Sequence, residues 1–124
     1  MTAILVIEGA EDLDRTVRLP EEIFPPLYEA EASMAGFAPG EEATLSDLVY
    51  GMLHPSGAEC CQAAARKTAG PEQAFVEKMN EKAAELGMKN THFCNTTGLH
   101  DKNHYSTGED IAILLRYALD NPAF

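Results

Sequence analysis

The sequence predicts a mostly α fold (α+β) with one short two-stranded element. Three observations lead there. From residue 44 onward, apolar residues recur at helical spacing, and the runs are framed by capping residues or a first-turn proline at the start and a Gly or Pro at the end. Residues 16–19 and 42–44 read as strands that can pair, and both are short. A hydrophobic fraction of 45% in 124 residues suits a single core and excludes a disordered chain.

Residues 1–10 are apolar and read as either the end of a helix or a buried strand, because periodicity does not separate the two in so short a run. Residues 11–14 form a polar break. Residues 16–19 alternate and suit a strand, which residues 42–44 can pair with. Between them, Pro20, Pro25 and Pro26 bound an irregular or single-turn segment, and residues 30–40 form a loop with Gly36, Pro39 and Gly40.

Helical signals then dominate. Thr44 is placed to cap a helix with Asp47 at the third helical position. Leu45, Leu48, Val49, Met52 and Leu53 are its expected apolar face, and Pro55 stops it. Ser56 and Glu59 have the S-x-x-E spacing of a second capping box, opening a helix through Ala63, Ala64 and Ala65 that Gly70 ends. Pro71 opens a third helix as a first-turn proline. Its stripe is Phe75, Met79, Ala83 and Leu86, and Gly87 ends it. Residues 90–105 are rich in Asn, Thr, Gly and His and read as a loop or hairpin. The last helix starts at Thr107 with Asp110 at its third position. Ile111, Leu114, Leu115 and Ala118 are its expected buried stripe, and Pro122 follows its end.

The net charge of −11 is concentrated in residues 1–50, which carry −9. Phosphate backbones and anionic lipid would repel such a surface, so neither nucleic acid nor an acidic membrane is an expected partner. The three cysteines include no C-x-x-C pair, so neither a zinc ribbon nor a dithiol redox site is signalled. Cys60 and Cys61 lie in an Ala-rich segment and read as small core residues. The first seven residues are too short for a membrane span and lack the basic start of an export signal. His92, His100, Asp101 and His104 lie close enough in sequence to raise a zinc site. The turn formers among them argue against it, and no metal or cofactor is expected.

Residues 48–59 read Leu-Val-Tyr-Gly-Met-Leu-His-Pro-Ser-Gly-Ala-Glu. Residues 85–93 read Glu-Leu-Gly-Met-Lys-Asn-Thr-His-Phe, and residues 97–100 read Thr-Gly-Leu-His. Together with Phe75-Val76, Met79-Asn80 and Tyr105-Ser106-Thr107, these segments resemble the middle of the penicillin-binding D-alanyl-D-alanine carboxypeptidases, a serine-type family. The resemblance implies the helical part of a serine β-lactamase-like, penicillin-binding transpeptidase fold. It also implies three motifs: S-x-x-K with the acylated serine and its activating lysine, S-x-N on a loop between helices, and K-T-G on a strand.

Ser56 matches the serine of S-x-N, which the family uses to shuttle protons between nucleophile and leaving group. Gly57 and Ala58 would complete the motif as substrate-binding positions, but Ala58 lacks the amide that an Asn would offer. None of Ser33, Ser46, Ser56 and Ser106 has Lys three residues on. Lys67-Thr68-Ala69-Gly70 imitates K-T-G at a predicted helix end, with Ala where the glycine belongs. The resemblance therefore implies that residues 1–124 form one partial domain. The nucleophile motif is expected before residue 1 and K-T-G after residue 124.

The expected function follows from the family. The parent trims the terminal D-Ala from peptidoglycan stem peptides through an acyl-enzyme, outside the cytoplasmic membrane, and β-lactams bind it. This chain alone is expected to be inactive and to self-associate through an exposed core. The alternative is a non-catalytic module that binds peptidoglycan peptides or another partner.

Overall fold

The computed structural model describes residues 1–124. Residues 1–10 resolve as helix: α1 spans Thr2–Gly9 and buries Ala3, Ile4, Val6 and Ile7. Strand β1 (Thr16–Arg18) pairs antiparallel with β2 (Glu42–Thr44), with Val17 opposite Ala43. Val17 and Ala43 face the core while their neighbours face outward, the alternation a half-buried strand requires. Between the strands, a single 3₁₀ turn (Glu21–Ile23) runs into α2 (Phe24–Glu29). Pro25 and Pro26 sit in the first turn of α2, where no intrahelical N–H is needed.

Helix α3 (Leu45–Leu53) opens with the capping box read from the sequence. The Asp47 N–H donates to Thr44 Oγ1 and the Thr44 N–H donates to Asp47 Oδ2, each at 3.0 Å. These bonds hold the Asp47 carboxyl below its usual range. Leu45, Leu48, Val49 and Met52 are buried as expected, but Leu53 is exposed because the chain leaves the core at the end of this helix.

Helix α4 (Ala58–Ala69) is the centre of the molecule. It touches α1, α2, α3, the following helix α5 (Glu72–Glu85) and β1. Cys60, Ala63, Ala64 and Ala65 are at most 1% exposed, so α4 is buried on more than one face. Small side chains suit it to this role, because they let several helices approach closely. Gly70, at φ 80°, ends it. Pro71 stands just before α5 as its cap position, one residue earlier than the sequence suggested. Phe75, Met79 and Ala83 enter the core, and Leu86 is half-buried at the helix end.

Residues 90–105 close as a hairpin-like loop through reciprocal backbone bonds between His92 and Tyr105, at 2.9 and 3.0 Å. Helix α6 (Gly108–Leu119) follows its Thr107 cap. Its expected stripe is rotated: Asp110, Leu114 and Ala118 are buried, whereas Ile111 and Leu115 are about half exposed. Asp110 lies on the buried side, where its carboxylate accepts the Asn90 N–H and the Thr91 hydroxyl from the α5–α6 loop. Lys82 of α5 pairs with Glu8 of α1 at 3.4 Å and donates to the Tyr117 hydroxyl of α6 at 3.3 Å, tying three helices at one corner. No helix is long and apolar enough to cross a membrane.

Candidate active-site loop

The turn between α3 and α4 carries Ser56, Gly57 and Ala58. Ser56 is exposed, and its φ of 59° lies in the left-handed region that L residues other than Asn and Asp seldom enter. Such a conformation costs on the order of 1–3 kcal/mol and persists only where its surroundings impose it. Here the flanking backbone is tied down. The Gly57 N–H donates to the Gly51 carbonyl and the Ala58 N–H donates to the Ser33 carbonyl, each at 2.8 Å.

The S-x-x-E capping box expected at Ser56 does not form. The cap position of α4 is Gly57, and no side chain bonds to it. Glu59 turns away from the helix start and is fully buried. Its Oε1 accepts the N–H groups of Ala35, Gly36 and Phe37 at 2.7, 3.0 and 3.4 Å. The spacing rule that flags a capping box weighs only local partners, and here three non-local backbone donors outcompete them. The helical phase of the alanine stripe held a clue to this burial, since residue 59 lies one turn before Ala63, which is 1% exposed.

Residues 33–37 therefore form a strap across the loop. A Cβ at Gly57 would sit 2.6 Å from Ala35 Cβ and 3.0 Å from both the Ala35 nitrogen and Glu59 Oε2. A Cβ at Gly51 would collide with Cys60 Sγ. Gly57→Ala is expected to lower stability by about 1–3 kcal/mol through overpacking, since φ −68° suits alanine and only the contact is at fault. Urea unfolding measures this, and an unchanged midpoint would show that the strap does not press on the loop.

Gly57 and Ala58 are buried and their N–H groups are spent within the chain. They shape the turn, and the Ser56 side chain is the group of the three that reaches solvent. Beside it on the exposed side of α3, His54 stacks on Tyr50 with ring centroids 5.8 Å apart and planes 17° apart. The Lys67–Gly70 run lies at the end of α4, where Thr68 Oγ1 donates back to the Ala64 carbonyl at 2.8 Å. It is not on a strand, as its sequence context indicated.

The cysteines and histidines do other work. Burial pushes the Cys60 and Cys61 thiols up to about 12, which keeps them protonated and inert. His92 Nδ1 donates to the Asn103 carbonyl at 2.5 Å, and His104 Nδ1 accepts the Cys94 N–H at 3.0 Å. Burial, with His92 nearby, holds the His104 ring below its usual range, while Asp101 opposes the shift. These nitrogens are spent on loop structure, and no group of three or more His, Cys, Asp or Glu side chains is arranged to hold a metal ion. Asn80, named in the sequence only as part of the family resemblance, bonds both the N–H and the carbonyl of Phe93 through its side chain, at 2.8 and 2.9 Å. That clamp fixes the start of the loop to α5.

Comparison with known proteins agrees with this geometry. The D-alanyl-D-alanine carboxypeptidase family matches residues 1–123. The carboxypeptidase DacF of Bacillus subtilis (strain 168) is 39% identical over 96% of this chain and 31% of its own length. The D-alanyl-D-alanine carboxypeptidase of Streptomyces sp. (strain K15) is 30% identical over the whole chain and 45% of its own length. The crystal structure of the Streptomyces K15 DD-transpeptidase superposes with a TM-score of 0.92 at 31% identity, over 99% of this chain and 50% of that one. A serine-to-alanine variant of the same enzyme superposes at 0.94 and 29% identity, over 99% of this chain and 50% of that one. The chain thus spans a third to a half of these relatives, and its helices and two-stranded sheet are those of the DD-peptidase fold. The chain belongs to the D-alanyl-D-alanine carboxypeptidase family.

Proposed function

We propose that residues 1–124 are the helical part of a serine-type D-Ala-D-Ala carboxypeptidase and carry its second active-site motif at Ser56. The substrate is a peptidoglycan stem peptide ending in D-Ala-D-Ala. The terminal D-Ala leaves when a nucleophilic serine attacks the preceding carbonyl, and water then releases the acyl-enzyme. Ser56 shuttles the proton between nucleophile and leaving amine. The nucleophile with its lysine, and the strand donors of K-T-G, belong to segments outside residues 1–124. The setting is the cell envelope, outside the cytoplasmic membrane, and β-lactams acylate the complete site.

One observation carries this reading. An exposed serine stands at φ 59° just before two residues whose N–H groups are tied to the Gly51 and Ser33 carbonyls, in a chain that superposes on a DD-transpeptidase at a TM-score of 0.94. Strain of this kind gathers at functional sites, where the surrounding structure over-determines one conformation. Ala58 is the departure: buried and without a donor, it leaves substrate orientation to other groups.

Two measurements test the proposal. The 124-residue chain incubated with penicillin should show no covalent adduct by intact mass, and an adduct would overturn its expected inactivity. A chimera in which residues 1–123 replace the equivalent stretch of the Bacillus subtilis DacF should release D-Ala from a D-Ala-D-Ala peptide. Ser56→Ala in that chimera should lower the rate by about 10²–10⁴-fold, the usual contribution of positioned proton transfer. A folded chimera without activity would sink the carboxypeptidase reading, and an undiminished Ser56→Ala variant would remove Ser56 from the mechanism.

A further inference from the structure

We propose that Glu59 is the positioning residue of this loop: its buried carboxylate clamps residues 33–37 over the α3–α4 turn and thereby fixes the conformation of Ser56. The assignment of Ser56 to catalysis rests on the reading above, but the mechanical coupling between Glu59 and Ser56 does not.

The geometry forms a closed circuit. Glu59 sits in the first turn of α4 and is 0% exposed. Oε1 gathers the N–H groups of Ala35, Gly36 and Phe37. The strap returns the connection through the Ser33 carbonyl, which accepts the Ala58 N–H at 2.8 Å. Ala35 fills the space that a Cβ at Gly57 would need, and Glu59 Oε2 borders that same space. Ser56 is the residue immediately before this clamped pair, and it occupies a backbone region that serine does not choose unaided.

A purely structural glutamate would be hard to explain here. Oε2 is buried and has no hydrogen-bond partner in the chain. Burying a carboxylate with one oxygen unsatisfied is unfavourable, and an apolar residue filling the site would pack the helix start at lower cost. What an apolar residue does not supply is an acceptor for three successive backbone N–H groups. Those groups come from a strap with no regular secondary structure of its own, which has few other ways to hold its shape.

The test is residue-resolved amide hydrogen exchange on the 124-residue chain. Glu59→Ala should accelerate exchange at Ala35, Gly36 and Phe37 and, in parallel, at Gly57 and Ala58, each by about tenfold or more. Leu114→Ala, a core variant on α6, serves as the control when compared at conditions of equal global stability. It should leave Gly57 and Ala58 unmoved. If Gly57 and Ala58 keep their parent rates while the strap amides accelerate, the strap does not position the loop and the proposal fails. If Leu114→Ala accelerates them equally, the effect is global and the proposal also fails.

Glu59→Gln keeps the acceptor oxygen and removes the charge. It should fall between parent and alanine at all five amides, and it carries the test should the alanine variant not fold. A glutamine variant that frees the strap without freeing the turn would again overturn the coupling. No substrate enters these readouts, so an inactive chimera would count against the carboxypeptidase reading and leave this result standing.

Discussion

Phe75→Ala is expected to lower stability by about 3–5 kcal/mol, the cost of deleting a fully buried phenylalanine whose cavity only partly collapses. Phe75 is 0% exposed and lies on the face of α5 that meets α1 and α4. It shares one core cluster with the buried Ala63, Ala64 and Ala65 of α4, which have no long side chains to swing into a void. Domains of this size are stable by only about 5–15 kcal/mol, so one substitution would remove a large share of the total. The observable is a thermal midpoint lower by roughly 10–20 °C, interpolating between the sensitivities of smaller and larger domains. Tyr50→Ala is the contrasting variant: Tyr50 is 65% exposed and should change stability by no more than about 0.5 kcal/mol. A loss below about 1 kcal/mol at Phe75 would mean that α5 does not seal the core as described.

How much of this molecule was legible in its sequence depends on where each residue finds its partners. Thr44 and Asp47 satisfy each other within one turn, so their capping box was readable and forms. The two short strands were readable because alternation and length survive in a pair that needs only each other. The Gly70 helix end was readable because a residue at φ 80° is a local demand. Ser56 and Glu59 match the same local template as Thr44 and Asp47, yet Glu59 finds its partners 22–24 residues earlier in the chain. No local rule foresees that. The α6 stripe failed for a related reason. Ile111 and Leu115 fit a helical stripe as well as Leu114 and Ala118 do, and the buried face also carries a polar residue, Asp110, whose partners lie 19–20 residues earlier in the chain. At the candidate site, the position of Ser56 on an exposed interhelical loop followed from Pro55 and the apolar runs around it. Its left-handed backbone and the strap over it did not, because both depend on residues 33–37, which carry no periodic signal of their own.

Asp110 also supports the second large expectation: Asp110→Ala should cost about 2–4 kcal/mol and loosen the loop before α6. The residue is 4% exposed. Its Oδ2 accepts the Asn90 N–H at 2.9 Å and the Thr91 hydroxyl at 2.7 Å, and its own N–H donates to Thr107 Oγ1 at 3.1 Å. The carboxylate thus joins the end of the α5 turn to the start of α6 across 19–20 residues of chain. Bonds to a charged acceptor contribute about 1.5–3 kcal/mol each, and alanine leaves a backbone donor stranded beside a near-buried site. Asp110→Asn keeps one carbonyl acceptor of the same shape and should lose roughly half as much. Exposed Glu109, one residue earlier and with no such partners, should change stability by less than about 0.5 kcal/mol when replaced by alanine. Chemical unfolding of the three variants decides the point. The ordering alanine at 110 worst, asparagine intermediate and alanine at 109 neutral is required if the carboxylate acts through its two acceptor bonds. If asparagine and alanine at 110 are equally destabilised, charge rather than hydrogen-bond acceptance is what the loop depends on. If neither loses stability, residues 90–105 are held by the His92–Tyr105 bonds and the Asn80 clamp alone.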